Sequence, residues 1–527
     1  MRNTISSLRI LGFKKFEQFE ITFLPGINIL VGENEAGKST ILEAIRMLLL
    51  QTYRTSDKSI LLELFTRKNV ERFQKSPSIE NLPRIEMEME LNLDFHAKNA
   101  QMFYGENYST FHPGDSGKFG ISFVCEFDRA LGAEVVTEIQ GGHIPVEYYS
   151  MKWTTFAGSS YQSLRKPLEF LAIDTTEGTP ASAFNFFTRS LFMSACDEAT
   201  RIKAKDKFRS VLKEGFGIIE MPKLSAGKTF CLDEKRVVFE SILSVRDNGI
   251  LLENKGRGME CLVKTQIALD KQGTNIDVVT LEEPENHLSY VNLRKMIHGI
   301  SRKIEECQLI ISTHSDMIVT RLGVKNLQWL TTNSKPVRFD NVGDDDAKFF
   351  MKTDNSNLLD FILASKTILV EGPTEYLLIP YFYEKETGRS LETDGVTVIS
   401  CGGIRFRRYL QIATGLQTKV AVLTDNDGKQ ERIDKYRQFN DDNSYHHVFT
   451  GDSTSLKNWE ECLFHENSAV LCEWINKGNR GKTPVSRDDV VPRMSENKVE
   501  TAFRLLESGI ELQTPRYVKE AIQWLNA

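Results

Sequence analysis

The chain has 527 residues, 40% hydrophobic and 26% charged, with a formal net charge of −6. That length exceeds one ordinary core and implies roughly two to four domains. The acidic balance excludes a polycation, so any nucleic-acid surface must be a local basic patch. The eight cysteines are scattered, with no Cys-x-x-Cys pair. This spacing argues against a zinc ribbon and suits a reducing cytoplasm better than a disulfide scaffold. No long apolar stretch follows the N-terminal charges, and the run around Met47 to Leu50 is far short of a membrane span. A cytoplasmic chain with no membrane partner is expected.

Residues 5–23 alternate apolar and polar side chains around Gly12-Phe13, which predicts a hairpin. Residues 27–31 form a short buried strand, followed by Gly32-Glu33-Asn34-Glu35-Ala36-Gly37-Lys38-Ser39-Thr40 and a helical pattern from Ile41. Strand, G-x-x-x-x-G-K-S and helix is the setting of a phosphate-binding loop. Gly32 and Gly37 let backbone N–H groups close on phosphate oxygens, with Asn34 and Thr40 in the same turn. Lys38 reaches the β- and γ-phosphates and Ser39 binds Mg²⁺, so ATP is the expected nucleotide. Residues 225–229 also end in Gly-Lys-Thr, but the earlier glycine would fall at Pro222, and the stretch reads as a loop.

Residues 84–160 read as strands; Arg84 to Leu91 alternates with period two. Residues 182–216 read as helices within a helical insert spanning about 160–216. Their apolar stripe, Phe184, Phe186, Phe187, Leu191, Phe192 and Met193, is either core or an inserted dimerisation segment. No heptad run of coiled-coil length appears. Residues 276–281 form a buried strand ending in Glu282-Glu283-Pro284-Glu285-Asn286-His287. This resembles the Walker B strand and D-loop of ABC-type ATPases, with Glu282 where Asp is more usual. The resemblance implies that Glu282 holds Mg²⁺ and Glu283 polarises the attacking water. A third strand, 309–312, leads into Thr313-His314-Ser315. His314 is either a satisfied strand-end histidine or, as in that family, a sensor of the γ-phosphate. The candidate for the family's signature loop is residues 252–258, where Gly256 and Gly258 suit close approach to phosphate. The signature serine is missing, which argues against brisk hydrolysis.

A domain boundary falls around residues 338–362, giving an N-terminal domain of 1–340, a linker of 341–362 containing the acidic run Asp344-Asp345-Asp346, and a C-terminal domain of 363–527. The C-terminal domain reads as short strands alternating with helices. Residues 366–370 deliver Glu371 to a strand's C-terminal end, and 420–423 deliver Asp425 and Asp427 to another. In α/β sheets that edge collects ligands. Three acids there repel one another unless a divalent cation intervenes, and oxygen-only donors suit Mg²⁺ or Mn²⁺. Glu375 either caps its helix or faces the metal. Gly402-Gly403 ends another strand, followed by Arg405, Phe406, Arg407 and Arg408, either a solvated helix face or a phosphate-backbone contact. Glu460 opens a helix and could complete a second metal position. Lys498 opens another; it is either a surface lysine or stabilises charge on the transferred phosphate.

Glu371 followed by Asp425-x-Asp427 is the pattern of Toprim domains. With Gly32 to Ser39, Glu282-Glu283 and His314 ahead of it, the whole chain resembles the OLD (overcoming lysogenization defect) nucleases. The resemblance implies an α/β chain: an ABC/SMC-like ATPase with a helical insert, then a Rossmann-like Toprim domain. It also implies a metal-dependent DNA endonuclease with Glu371, Glu375, Asp425, Asp427 and Glu460 as metal positions and Lys498 in catalysis. Family members form dimers or higher oligomers and many act in anti-phage defence, alone, with a helicase, or beside a retron's reverse transcriptase and RNA–DNA hybrid. The alternative is an ATP-gated DNA clamp or sensor whose Toprim domain is a non-catalytic scaffold. A transporter ATPase is disfavoured by the C-terminal acids.

Overall fold

The computed structural model describes residues 3–53, 58–96, 99–131, 135–163, 166–174, 181–219, 230–233, 238–270, 276–303, 307–331, 336–353, 357–402, 406–413, 416, 418–477 and 486–527. The chain divides into two compact units: Met1–Ile318 with Asn326–Val337, and Val319–Lys325 with Arg338–Ala527.

The first unit holds two large sheets and a two-stranded ribbon, Arg246–Asp247 with Ile250–Leu251. One is antiparallel and begins with the hairpin Thr4–Phe13 and Phe16–Thr22, continuing through Ile85–Asn92 and Lys118–Phe127. The period-two pattern of Ile85–Asn92 puts Ile85, Met87, Met89 and Leu91 inward and its glutamates outward. The other large sheet has a parallel core of Leu327–Leu330, Ile27–Val31, Gln308–Ser312, Val278–Glu282 and Phe170–Asp174 in that order, with Pro336–Arg338 at the edge beside Leu327–Leu330. Strands buried on both faces need continuous apolar runs, and Ile27–Val31 is buried throughout. The helix Lys38–Leu50 contributes Ile41, Ala44, Ile45 and Leu48 to a core shared with both sheets. Each fully buried leucine or isoleucine there stabilises the fold by about 1.5–3 kcal/mol. The fully buried Gln308 joins the sheets. Its amide oxygen accepts from Ile5 N at 2.8 Å, and its NH₂ donates to Ile5 O at 2.9 Å and Leu24 O at 2.8 Å.

The expected insert of 160–216 is corrected at its start. Phe170–Asp174 is a strand of the parallel sheet, and the helices are Ala181–Ala195 and Glu198–Ile218. Of the aromatic stripe, Phe187 is buried and Phe192 meets Phe239 at 5.7 Å, so this part is core. The side chains of Phe184 and Phe186, and the Gly-Lys-Thr stretch at 225–229, lie outside the described residues.

The second unit is built on a parallel sheet ordered Val396–Ser400, Lys366–Val370, Lys419–Leu423 and His446–Phe449. Because all four strands run the same way, Glu371 and Asp425 leave from one edge. Helices Pro373–Thr387, Trp459–Lys477, Arg487–Glu496, Lys498–Glu507 and Arg516–Asn526 supply much of the rest of the core, including Leu378, Phe382, Trp459, Leu463 and Val518. Residues 341–362, read as a linker, instead contain the helices Asp344–Lys352 and Leu358–Leu363. Phe350 and Phe361 pack edge-on against Tyr409 at 5.4 and 5.2 Å. The three aspartates sit in a helix's first turn, where negative charge is favoured. Asp344 pairs with Lys325 and Asp346 with Arg408, so they are not simply solvated.

Candidate active site

At the sheet edge of the second unit, four carboxylates act on one another. Glu371 follows its strand directly and accepts from Thr424 Oγ1 and, at 3.2 Å, from Asp425 N. These contacts tie the two strand ends together. Burial, then the charges of Glu371, Glu375 and Glu460, push the Asp425 carboxyl up to about 8, while Lys498 pulls the other way. Glu375, in the first turn of Pro373–Thr387, is also raised, first by burial and then by Glu371 and Glu460. Glu460 is 2% exposed, with Lys498 Nζ 3.0 Å from its Oε1. That contact is an ion pair outside hydrogen-bond alignment, and both buried Glu460 oxygens have no hydrogen-bond partner. Burial lowers the Lys498 pKa, but Glu460, Asp425 and Glu375 outweigh it and hold the ammonium above its ordinary range. Glu371, Glu375, Asp425, Glu460 and Lys498 therefore form one electrostatic cluster.

Asp427 is the outlier. It takes φ +51° and pairs with Arg432 Nη1 at 2.5 Å, and it is not among the largest charges acting on Asp425. Between the two aspartates, the fully buried Asn426 donates to Gly451, Ser453 and Leu456 carbonyls at 3.0–3.1 Å and accepts from Gly428 N at 2.7 Å. It fixes the turn that aims Asp425. Asn426 and Thr424 were not anticipated, although Asp-Asn-Asp-Gly is turn chemistry that signals a fixed loop.

The donor set suits a hard divalent cation. It is oxygen-only, carries surplus negative charge, and includes a buried carboxylate with an unsatisfied oxygen. Among the described residues no three acidic, histidine or cysteine side chains already stand at ion-holding distance. The physical reason is that Glu371, Glu460 and Asp427 each engage a protein partner.

Of the basic residues read as phosphate contacts, Arg408 is corrected. It pairs with Asp346 and lies over the Phe349 ring at 4.2 Å, a packing role. Arg407 is exposed on the rim of a cleft that includes Glu371, and Arg405 and Gly403 lie outside the described residues.

In the first unit, the loop after Ile27–Val31 forms a cleft of about 450 Å³ lined by Asn34, Gly37, Lys38, Ser39, Glu283 and His314 among others. Thr40 lines it too. Gly37 has φ +101°, and a Cβ there would lie 2.3 Å from the Phe16 ring. A Cβ on Gly32 would lie 2.7 Å from Leu330 O. Lys38 Nζ donates to Gly32 O at 2.9 Å and Glu33 O at 3.2 Å. Burial lowers its pKa, opposed by Glu283, Glu285 and Glu282. Ser39 hydrogen-bonds Glu282, whose carboxyl burial raises despite that bond. Glu283 Oε1 lies 3.8 Å from His314 Nε2. Two residues here were missed. Glu285 Oε1 accepts from Thr313 Oγ1 at 2.8 Å and His314 N at 2.6 Å, and Asp174 lies beside Glu282 in register. The signature-loop candidate is a short 3₁₀ turn, Leu252–Asn254, before the helix Arg257–Ala268. Lys255 is paired with Asp247 at 2.7 Å, and a Cβ on Gly258 would lie 2.0 Å from His287 O.

A family model described as "Overcoming lysogenization defect protein-like, TOPRIM domain" matches residues 362–427, and one described as "AAA domain" matches residues 7–130. The chain therefore carries an ATPase domain followed by an OLD-like TOPRIM domain, in the order its motifs imply. The DNA replication and repair protein RecF of Limosilactobacillus fermentum is 40% identical over 53 residues, 10% of this chain and 14% of that protein's length. The C-terminal region of the Burkholderia pseudomallei OLD protein aligns over 31% of this chain and 97% of that chain, with 19% identity and a TM-score of 0.26. The SMC head domain from Thermotoga maritima aligns over 63% of this chain and 95% of that chain, with 14% identity and a TM-score of 0.29. Among the described residues no helix is long and apolar enough to cross a membrane.

Proposed function

We propose that the chain is an ATP-binding DNA endonuclease that depends on Mg²⁺ or Mn²⁺ and hydrolyses phosphodiester bonds at the Glu371–Asp425 edge. The observation that carries this reading is the mutual charge burden of Glu371, Glu375, Asp425 and Glu460, strong enough to push Asp425 up to about 8 with one lysine opposite. A structural cluster has no need of such a costly arrangement, whereas functional sites collect perturbed groups of this kind. Asp425, Glu375 and Glu460 would hold the cation, joined by Asp427 once released from Arg432. Glu371 acts as ligand or general base, oriented by Thr424. The cation, when bound, supplies charge neutralisation and activates water. Lys498 sits where it can offset charge developing on the phosphate.

In the ATPase domain, Lys38 and Ser39 would take phosphates and Mg²⁺ with Glu282. Glu283, beside His314, orients water. Nucleotide-driven pairing of two copies would gate access to DNA. Ile202, Val211 and Ile218 on the helix Glu198–Ile218 are exposed and available to such self-association. An anti-phage role in the cytoplasm, with a helicase or a reverse transcriptase and its hybrid as partner, extends the same reading.

Incubating plasmid and single-stranded DNA with the protein and Mg²⁺ or Mn²⁺, against EDTA, tests it. Cleavage should require the metal and vanish in Asp425→Ala. Intact DNA under all conditions refutes it and favours the clamp reading.

A further inference from the structure

Beside the carboxylate edge lies a second pocket that the cleavage chemistry leaves unused. The cleft holding Glu371 and Thr424, about 550 Å³, shares four wall residues with it: Phe406, Arg407, Lys435 and Tyr436. The pocket itself, about 400 Å³, falls within the roughly 300–1,000 Å³ typical of small-ligand sites. It lies between the helix Phe406–Ala413, the helix Gln430–Asp441 and the strand His446–Phe449. Leu410, Phe439 and Val448 give it an apolar interior. Phe406 and Tyr436 stand edge-to-face with centroids 6.1 Å apart.

Two features narrow what can enter. His446 Nε2 is buried in the pocket wall without a hydrogen-bond partner, which costs free energy unless a ligand supplies one. Burial, then His447, lowers the His446 pKa, so the ring is neutral and offers a single uncharged donor or acceptor. At the mouth, Arg407 and Lys435 have no ion-pair partner among the described residues, and Arg432 lines the adjoining cleft. Cations at the mouth, flat aromatic walls and neutral hydrogen-bonding side chains in the lining (His446, with Gln411 and Asn443) match a phosphate-linked heterocycle.

We propose that this pocket receives one unpaired nucleobase of the DNA strand whose phosphate occupies the Glu371 cleft. The base stacks against Tyr436 and Phe406 and its polar edge meets His446 Nε2. Arg407 and Lys435 take the flanking phosphates. A paired base cannot reach such a pocket without leaving its stack. The site therefore selects single-stranded, nicked or locally unpaired DNA over matched duplex. This rests on the nuclease reading above and adds the substrate form.

The test is fluorescence anisotropy in EDTA with two fluorescein-labelled probes of equal length and charge, oligothymidylate and a fully abasic phosphodiester strand. Base stacking predicts that the wild-type protein binds oligothymidylate roughly 10-fold more tightly than the abasic strand. Tyr436→Ala should bring that ratio close to one, and His446→Phe, which keeps an aromatic ring, should reduce it. Arg407→Ala should weaken both probes alike. Equal wild-type affinity for the two probes, in a protein that still cuts DNA with Mg²⁺ or Mn²⁺, overturns the base pocket and leaves the nuclease standing. A ratio undiminished in both Tyr436→Ala and His446→Phe also overturns it. Failure to bind either probe, together with failure to cut, removes both readings.

Discussion

Adding a divalent cation to the metal-free protein should expel protons from the C-terminal site, and the number follows from its charge. The Asp425 carboxyl is pushed from an ordinary 3.8 up to about 8, first by burial and then by Glu371, Glu375 and Glu460. At pH 7 it is then about nine-tenths protonated. A cation can use that carboxylate only after the proton leaves. Asp425 alone should release close to one proton per site. Magnesium titrations by calorimetry at pH 7, in two buffers of different ionisation enthalpy, measure the release directly. It should shrink as pH passes above 8, and Asp425→Asn should remove about one proton. The sign for stability is opposite to that of an ordinary paired aspartate. Its folded pKa lies above the unfolded value, so between about pH 4 and pH 8 the folded chain holds a proton that the unfolded chain has lost. Metal-free stability should thus be greatest at the acid end of that window. It should fall as pH rises, by up to about 1.4 kcal/mol per unit before solvent screening reduces it. Stoichiometric magnesium binding with no proton release at pH 7, or release unchanged by Asp425→Asn, would refute the clustering of these acids.

Lys498→Ala should destabilise the C-terminal unit by about 1–2 kcal/mol in urea, because it strands the buried Glu460 charge while the lysine itself is half exposed. The double variant Glu460→Gln, Lys498→Met should regain that stability but not metal-dependent cleavage; if cleavage returns with stability, the pair is purely structural. Gly37→Ala should cost about 1–3 kcal/mol and abolish binding of a fluorescent ATP analogue, since its φ is +101° and its Cβ would collide with Phe16. Arg408→Ala should lower thermal stability, by about 1–2 kcal/mol from its lost stacking and ion pair, and leave DNA affinity unchanged. A drop in affinity without loss of stability would return Arg408 to the DNA surface.

Local patterns carried the strands and loops. Short apolar runs at 29–31, 368–370 and 420–423 read as the buried parts of strands, and Gly37 and Gly32 announce a backbone folded too tightly for a side chain. What escaped depends on residues far apart or on helical phase. Asp174 has no local signature; it matters because its strand lies beside Val278–Glu282, about a hundred residues later. Arg407 and Arg408 are adjacent in sequence, yet about 100° of helical rotation sends one to the cleft and the other to Phe349 and Asp346. The acidic run at 344–346 looks like a solvated tether because composition does not reveal that a helix start and a cation await it. Asp427 fits the Asp-x-Asp spacing, but spacing does not reveal its left-handed backbone or its pairing with Arg432.

Each unit sets one lysine against several carboxylates, and the two lysines respond in opposite directions. Lys38 faces Glu282, Glu283 and Glu285, yet burial dominates and its pKa falls. It settles on the carbonyls of Gly32 and Glu33, which ask for a donor and supply no net charge. Lys498 is half exposed, so its acids dominate and its pKa rises. The first lysine is too buried for its acids to compensate, and the second site holds surplus negative charge. A polyphosphate relieves the Lys38 site by bringing anionic oxygens to a buried ammonium. A cation relieves the Lys498 site by sharing its carboxylates. The same comparison predicts opposite ligand responses: nucleotide should raise the Lys38 pKa, and metal should lower that of Lys498 by drawing Glu460 and Asp425 away from it.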